Sequence, residues 1–479
     1  MGKTAKRKKV MFITPPYHCG VVESAGVWLP LSFVYLASTV RDAGFEPVIY
    51  DAMSYFHGYD QIAEKIAEEN PDYVCTTAYT ALINDALKVL KLAKEIRSDC
   101  TTIIGGVHPT LCWEEVLDRG KGYVDYIVRG EGEITLPELL LAIENGTDPV
   151  SVNGLAFMRG NRKIKTKERG FIADLDRLNF AWDLLDWSIY TYRPTKGSTL
   201  AVISSSRGCN QGCSFCSQQV YWKRSWRAVS PERFVSELEL LVKRYGVNVV
   251  MITDETPTLN RKRWEEILRL IIKKDLGLEI LMETRVDDIV RDEDIIDLYR
   301  EAGVKHIYVG VESAFQEELE TFKKNISVEQ SKRAIEIING ADIISETSFV
   351  LGLPDDTREK FEATAELAIY YNPDLAFFLA LSPWPYSEIY DEVKPYIVDF
   401  DYSNYNLIKP VIKPKYMEIE EVEKMLFECF KKFYLNKMKQ LPRMSKFKRD
   451  YMVSVSRLLM EHSYLANHLK EELRKKVPV

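Results

Sequence analysis

The sequence predicts an α/β protein made of two successive strand–helix series and a helical end. Three observations carry this. Between residues 9 and 144, short β-like runs alternate with helical runs, the pattern of right-handed βαβ crossovers and a parallel sheet. A second series begins at Leu200 and supplies six strand-like runs. From about residue 400 the chain turns helical and aromatic. The expected architecture is an N-terminal doubly wound, Rossmann-like domain (1–145), a connector (146–198), a partial (β/α)6 barrel (199–395) and a C-terminal helical domain (396–479) on the substrate side.

The elements follow in order. Lys9–Thr14 is a short β run stopped by Pro15-Pro16. Leu31–Ala43 has helical spacing and ends at Gly44, and Phe45–Tyr50 is strand-like. Tyr59–Glu69 reads as helix, Asp72–Thr77 as strand, Asn84–Ile96 as helix, and Thr101–Ile104 as a strand ending at Gly105-Gly106. Trp113–Leu117 is a short helix, Val124–Val128 a strand and Ile134–Glu144 a helix. Residues 146–198 lose this rhythm. They hold a basic stretch, Arg159–Arg169, and an aromatic one, Phe180–Tyr192. The second series has strands at Leu200–Ser204, Val247–Thr253, Glu279–Glu283, His306–Val311, Glu346–Leu351 and Leu375–Leu381. Six units do not readily close an eight-stranded barrel, so an open one is expected.

Composition narrows the function classes. The 479 residues are 46% hydrophobic and 28% charged, as in an ordinary globular chain, so disorder and a disulfide mini-scaffold are disfavoured. The net charge of −7 argues against a general nucleic-acid binder. Residues 401–479 alone carry 17 Lys/Arg against 10 Asp/Glu, which reads as a solvated helical face before an acidic-partner site. The basic N-terminus precedes an apolar run too short for a signal peptide, and Lys6 breaks the myristoylation pattern. No apolar run approaches a membrane span. A cytoplasmic location is the default expectation.

Eight cysteines are present: Cys19, Cys75, Cys100, Cys112, Cys209, Cys213, Cys216 and Cys429. In a long chain of this kind, thiols or metal ligands are expected before disulfides. Three fall within eight residues, Cys209-Asn-Gln-Gly-Cys213-Ser-Phe-Cys216, directly after the first strand of the second series. A structural zinc would want a fourth protein ligand, and none stands nearby. Protein-bound iron–sulfur clusters ordinarily take four cysteines. Three leave one iron open to a substrate.

This C-x3-C-x-Φ-C pattern, with Phe215 at Φ, resembles the radical S-adenosylmethionine (radical SAM) family. The other strand ends agree: Asp254-Glu255, Glu283 and Arg285, Gly310-Val-Glu312-Ser313, and Phe349-Val-Leu-Gly352-Leu-Pro354. The resemblance covers about residues 198–390. It implies a [4Fe-4S] cluster on Cys209, Cys213 and Cys216, and SAM bound among Phe215, Asp254, Glu255, Glu283, Arg285, Glu312 and Ser313. It also implies reductive cleavage of SAM to methionine and a 5′-deoxyadenosyl radical, with electrons from an external ferredoxin or flavodoxin.

A doubly wound domain before such a barrel resembles the cobalamin-binding branch of that family. The resemblance rests on Pro15-Pro16, on Thr76, Thr77, Tyr79 and Thr80, on Gly105, Gly106 and His108, and on Gly130, Glu131, Gly132 and Glu133. It implies cobalamin at these strand ends, with Tyr79 and Leu82 neighbouring the lower face of cobalt. The Asp-x-His-x-x-Gly pattern that supplies a histidine ligand is missing from His18, His57, His108, His306, His462 and His468. No histidine ligand is therefore expected.

The leading expectation is a cobalamin-dependent radical SAM C-methyltransferase. It would move a methyl from SAM through methylcobalamin to an unactivated sp3 carbon of a protein, peptide or small-molecule acceptor. Within the resemblance the lead acceptor is a protein residue, a glutamine of methyl-coenzyme M reductase. The Asp254-Glu255-Thr-Pro257-Thr258 segment equally resembles the branch holding anaerobic magnesium-protoporphyrin ester cyclases and lipid or tetrapyrrole C-methylases. A non-methylating cyclase is the alternative, and a cluster-bearing electron-transfer protein the third reading.

Overall fold

β1 (Lys9–Ile13) reads Lys-Val-Met-Phe-Ile, and Val10 to Ile13 are fully buried. A strand apolar on both faces belongs inside a parallel sheet covered on both sides. The computed structural model, which describes residues 7–18 and 25–462, places β1 there. It lies between β2 (Glu46–Tyr50) and β3 (Tyr73–Thr77), with β4 (Thr101–Gly105) and β5 (Tyr126–Val128) continuing the parallel sheet. Phe33, Ala37 and Val40 from helix Leu31–Asp42, and Leu136 and Leu139 from helix Gly132–Glu144, join Val10, Phe12, Ile103 and Val128 in one core. Cys19, His468 and the first six residues lie outside the described part, as does the basic end beyond 462.

The stretch expected to be a connector adds two strands to this sheet. β6 (Leu155–Arg159) pairs antiparallel with β5, and β7 (Arg162–Lys165) pairs antiparallel with β6. The order becomes β2-β1-β3-β4-β5-β6-β7. Gly160, at φ +59°, and Asn161 make a two-residue hairpin turn, a sequence signal that was available. The basic residues obscured it. Arg162 and Lys165 are exposed on an edge strand, where charge is ordinary. Farther on, Ala181 N–H donates to the Val34 carbonyl at 3.1 Å and Phe180 lies 4.6 Å from Tyr35. The first unit therefore runs to Ile189. A short helix, Val107–Leu111, stands directly after Gly106 where a loop was expected.

The second unit holds residues 25–28 and 190–462 of the described chain. Its strands β8 (Leu200–Ile203), β11 (Val249–Ile252), β12 (Glu279–Thr284), β13 (Val304–Glu312), β14 (Ile344–Leu351) and β15 (Leu375–Ala380) lie in chain order in one parallel sheet, with β8 and β15 at its edges. This is the open six-unit barrel. Between β8 and β11, the short strands β9 (Ser206–Gly208) and β10 (Trp226–Ala228) pair antiparallel and frame the three-cysteine loop.

The C-terminal segment divides in a way its pattern did not show. Residues 397–412 return to the carboxyl ends of the strands: Ile397, Tyr405, Val411 and Ile412 pack with Leu381, Phe322 and Phe215. Helices Ile419–Gln440 and Lys446–His462 instead reach the starting ends of β13 to β15. Ser445 Oγ donates to Asp342 at 2.7 Å, and Tyr451 Oη lies 3.1 Å from His306 Nδ1. The first helix runs along β15, from Val422 beside Gly352 and Glu421 on Arg358 at the carboxyl end, past Phe430 and Phe433 on Phe378, to Lys437 on Asn372 at the starting end. The second helix closes that starting rim.

One buried ion pair ties that rim together. Lys448 Nζ lies 2.6 Å from Asp374 Oδ2, both almost inaccessible, and Asp374 also accepts from Ser345 N–H at 3.0 Å. Lys437, on the preceding helix, is buried as well, and desolvation pushes its pKa down to about 8. Lys448→Ala strands the Asp374 carboxylate without its partner. It is expected to cost about 3–5 kcal/mol, read as a lower denaturation midpoint.

Candidate functional site

The chain leaving β8 must hold three cysteines in a loop with little regular structure. Asp254, expected at SAM, holds that loop. It is fully buried. Its carboxylate accepts from Ser205 N–H at 2.6 Å, Ser205 Oγ–H at 2.6 Å and Ser206 Oγ–H at 2.5 Å. Arg263 Nη2 donates to the Ser205 carbonyl at 2.6 Å. Burial raises the Asp254 pKa against the lowering effect of these bonds. A carboxylate so engaged fixes the loop. Its neighbour Glu255 faces the loop: it accepts from Gly208 N–H at 3.1 Å and Trp222 Nε1–H at 2.9 Å. Thr256 Oγ1–H donates to Cys209 Sγ at 3.4 Å.

The cysteine loop is pinned at its middle. Ser214 N–H donates to the Phe322 carbonyl, its hydroxyl to the Thr321 carbonyl, and Ile389 N–H to the Ser214 carbonyl, at 3.0, 2.9 and 3.1 Å. Phe215 packs edge-on against Phe322 with centroids 5.0 Å apart. Cys213 is buried, and burial raises its thiol pKa although Lys324 and Arg285 oppose this. Burial pushes Cys216 up to about 12. Ligating a positive centre therefore displaces protons from both. A donor set of three thiols in one loop fits a cluster.

Beyond the cysteines lies a pair the sequence did not reveal. Lys324 Nζ donates to Glu312 Oε1 at 2.7 Å, both buried. Desolvation works against the Lys324 charge, but Glu312 and the nearby Cys213 outweigh it and the pKa is raised. Gly310 makes room: a Cβ there would stand 2.3 Å from Glu312 Oε1 and 2.7 Å from Lys324 Nζ. Glu312 itself has φ +67°, at a register shift between β13 and β14, a strained conformation of the kind found at functional sites. No periodicity marks Lys324, because its partner comes from another strand end.

The other expected SAM residues fall into two groups. Arg285 is buried, with Nε and Nη2 on Asp287 at 2.8 and 3.2 Å and Nη2 on the Lys324 carbonyl at 3.1 Å. Ser313 is a turn brace, donating to Glu318 at 2.5 Å and accepting from Phe315 N–H at 2.9 Å. Glu283 points the other way chemically. No described residue hydrogen-bonds its carboxyl, and burial, then the charges of Glu255, Asp254 and Glu346, push its pKa up to about 8.

In the first unit the expected residues gather along the carboxyl edge of the sheet. Pro15 and Pro16 follow β1. Thr76 Oγ1–H donates back to the Ile13 carbonyl at 2.8 Å, Tyr79 is 57% exposed, and Leu82 is half-buried. Gly106, at φ +100°, approaches so closely that a Cβ would stand 2.7 Å from both the Ala78 carbonyl and Thr77 Oγ1. Gly105 is partly open beside it, and around Gly130 nothing lies within 4 Å of a Cβ position. This edge leaves room for a large ligand against the backbone. Glu131 accepts from Ile172 N–H at 2.7 Å, and Gly132 and Glu133 begin the following helix, with Glu133 buried. His108 is fully inaccessible, with Nδ1 3.1 Å from Thr80 Oγ1, and burial, aided by Arg119, lowers its pKa to about 3. It is a neutral, enclosed ring.

Two folds, one bearing a three-cysteine loop and the other an open glycine-lined edge, define the cobalamin-binding radical SAM class. Family profiles agree: the Radical SAM superfamily matches residues 203–368 and the B12 binding domain residues 17–140. The chain belongs to this family, whose members use a [4Fe-4S] cluster, SAM and cobalamin. It is 38% identical over 434 residues to an anaerobic magnesium-protoporphyrin IX monomethyl ester cyclase of Rubrivivax gelatinosus, covering 90% of this chain and 78% of that one. It is 31% identical to an uncharacterised methyltransferase of Pyrococcus horikoshii, covering 90% and 93%. In fold it resembles the radical SAM methyltransferase TsrM of Kitasatospora setae, with TM-score 0.66 and 19% identity over 81% of this chain and 76% of that one.

Replacing Cys209, Cys213 or Cys216 by Ala should abolish cluster iron and 5′-deoxyadenosine formation. Cys429→Ala should not, since Cys429 merely faces the Phe361 carbonyl at 3.3 Å. Lys324→Met leaves Glu312 buried without its cation. SAM cleavage should fall at least about ten-fold while iron content is kept, checked by chromatography of 5′-deoxyadenosine and iron assay.

Proposed function

We propose that this chain is a cobalamin-dependent radical SAM C-methyltransferase acting on an unactivated sp3 carbon. The observation that carries the reading is the state of His108. His108 is fully inaccessible, with Nδ1 held at Thr80, so its ring is enclosed rather than presented at the open edge, and no other histidine stands in a ligand motif. A lower face without nitrogen ligation suits a metal that must accept and release a methyl group. When bound, the cluster supplies the electron that cleaves SAM, and cobalamin carries the methyl.

The chain's own residues hold and shield. Cys209, Cys213 and Cys216 ligate the cluster. Asp254 fixes their loop through Ser205 and Ser206. Glu255, Glu312 with Lys324, and Arg285 border the ligand beside it, Arg285 being held there by Asp287 and the Lys324 carbonyl. Phe215 and Phe322 wall off water. Pro15, Pro16, Thr77, Tyr79, Leu82, Gly105, Gly106 and Gly130 line the cobalamin edge. The acceptor we favour is a protein residue, a glutamine side chain of methyl-coenzyme M reductase, and the electrons come from a ferredoxin or flavodoxin.

A second reading, a non-methylating cyclase, is supported by the 38% identity to the Rubrivivax protein across 90% of this chain. The products separate the two. Methyl transfer yields S-adenosylhomocysteine and 5′-deoxyadenosine together, with the acceptor heavier by one methyl in mass spectrometry. A cyclase yields 5′-deoxyadenosine alone.

The ligand state of cobalt is checked separately. Paramagnetic resonance of bound cobalamin in its paramagnetic form should lack axial nitrogen splitting, and His108→Ala should leave the spectrum unchanged. A three-line splitting lost in that variant would make His108 the ligand.

A further inference from the structure

After β4 and Gly106 the chain forms two short helices, Val107–Leu111 and Trp113–Arg119, with Cys112 at the joint. Helices of five and seven residues are not stable by themselves. Something must hold this pair in place. Cys112 does not do so as a cap, since its side chain makes no capping hydrogen bond to the second helix.

His108, Cys112 and Glu115 follow one another at spacings of four and three residues, about one helical turn each. A ring nitrogen of His108, Cys112 Sγ and a carboxylate oxygen of Glu115 all lie within 4.8 Å of one another. Around one tetrahedral zinc ion, such ligand atoms stand about 3.5 Å apart. A closure of about 1 Å therefore completes the geometry. The ligands are also held from behind, as metal ligands ordinarily are. His108 Nδ1 lies 3.1 Å from Thr80 Oγ1, and with the proton on Nδ1 the lone pair stands on Nε2. Arg119 Nη1 donates to Glu115 Oε1 at 3.0 Å, and a carboxylate has lone pairs for a guanidinium and an ion together. Cys112 N–H donates to the His108 carbonyl at 2.8 Å, which fixes these two residues one turn apart.

The donor set selects the ion. One thiolate, one imidazole and one carboxylate suit zinc, whereas magnesium and calcium take oxygen ligands. His108 is inaccessible, but Cys112 and Glu115 are half-buried, so an ion reaches the group from their side.

We propose that His108, Cys112 and Glu115 hold a zinc ion, with water as the fourth ligand, and that this ion clamps the two helices together behind the carboxyl end of β4. Binding forms one zinc–sulfur bond and sends the Cys112 proton to solvent; no electron moves. Neither cobalamin nor methyl transfer is needed for it, and the three clustered cysteines of the second unit take no part.

The test uses tag-free protein with its cluster reconstituted and cobalamin bound. It is freed of loose metal and titrated with zinc chloride in competition with a chromophoric chelator. The wild type should take up one zinc per chain and keep its iron. X-ray absorption at the zinc edge should show one sulfur at about 2.3 Å and nitrogen or oxygen at about 2.0–2.1 Å. Cys112→Ser and His108→Gln should each weaken zinc binding at least about a hundred-fold, and Thr80→Val about ten-fold through loss of the outer partner. Cys100→Ser removes a thiol of the same unit that faces the Ala93 carbonyl at 3.8 Å, and it should bind zinc as the wild type does. If Cys112→Ser does not fold, the sulfur in the wild-type absorption spectrum and the Thr80→Val affinity still decide. A wild type that takes up no zinc, zinc gained only as iron is lost, a spectrum without sulfur, or wild-type affinity in Cys112→Ser overturns the proposal.

Discussion

The cysteine loop depends on one buried carboxylate. A loop that must present three thiols cannot also bury much apolar surface, so its shape has to be imposed from outside. Asp254 supplies this by accepting from Ser205 and Ser206, and Ser205 and Ser206 are themselves buried. Charge-assisted bonds in a water-free setting are the strong kind. They are also intolerant of loss, because the carboxylate has no water to fall back on. Ser214 adds a second anchor through the Phe322 and Thr321 carbonyls. The loop is thereby fixed at its root and at its middle, and the thiols fall between.

The same economy of charge runs through the rest of the second unit. Lys324 meets Glu312 near the cysteines, and Lys448 meets Asp374 at the opposite rim. Both pairs join segments distant in sequence. Each is worth little relative to a well-packed apolar replacement, but each fixes an arrangement that apolar contacts would leave free to slide. Glu283 stands apart from this pattern, with carboxylates around it and no partner of its own. Burial and the neighbouring carboxylates push its pKa up to about 8, which favours the protonated form more than at the other carboxylates.

Likeness to a cyclase and to a methyltransferase is no contradiction in physical terms. Both reactions begin with the same radical, made by the same loop and the same SAM pocket. They diverge in what the radical meets, which is a matter of the substrate cavity rather than the barrel.

The sequence by itself determined the strand–helix alternation, the six-strand second series and the three clustered thiols. These are local: periodicity reports burial along one element, and the cysteine spacing lies within one loop. It also placed Asp254, Glu312 and His108 at strand ends, where ligands bind. Their roles were decided only by tertiary structure. Asp254 turns inward because two serines from β8's loop meet it, and His108 is enclosed because a helix begins at Val107. The hairpin at Gly160-Asn161 was hidden by basic residues on an edge strand. The tail's division between two rims was invisible because helical spacing shows which face is apolar, not what that face covers. Lys324 carried no local signal at all. A buried charge is defined by what surrounds it, and its surroundings come from other parts of the chain.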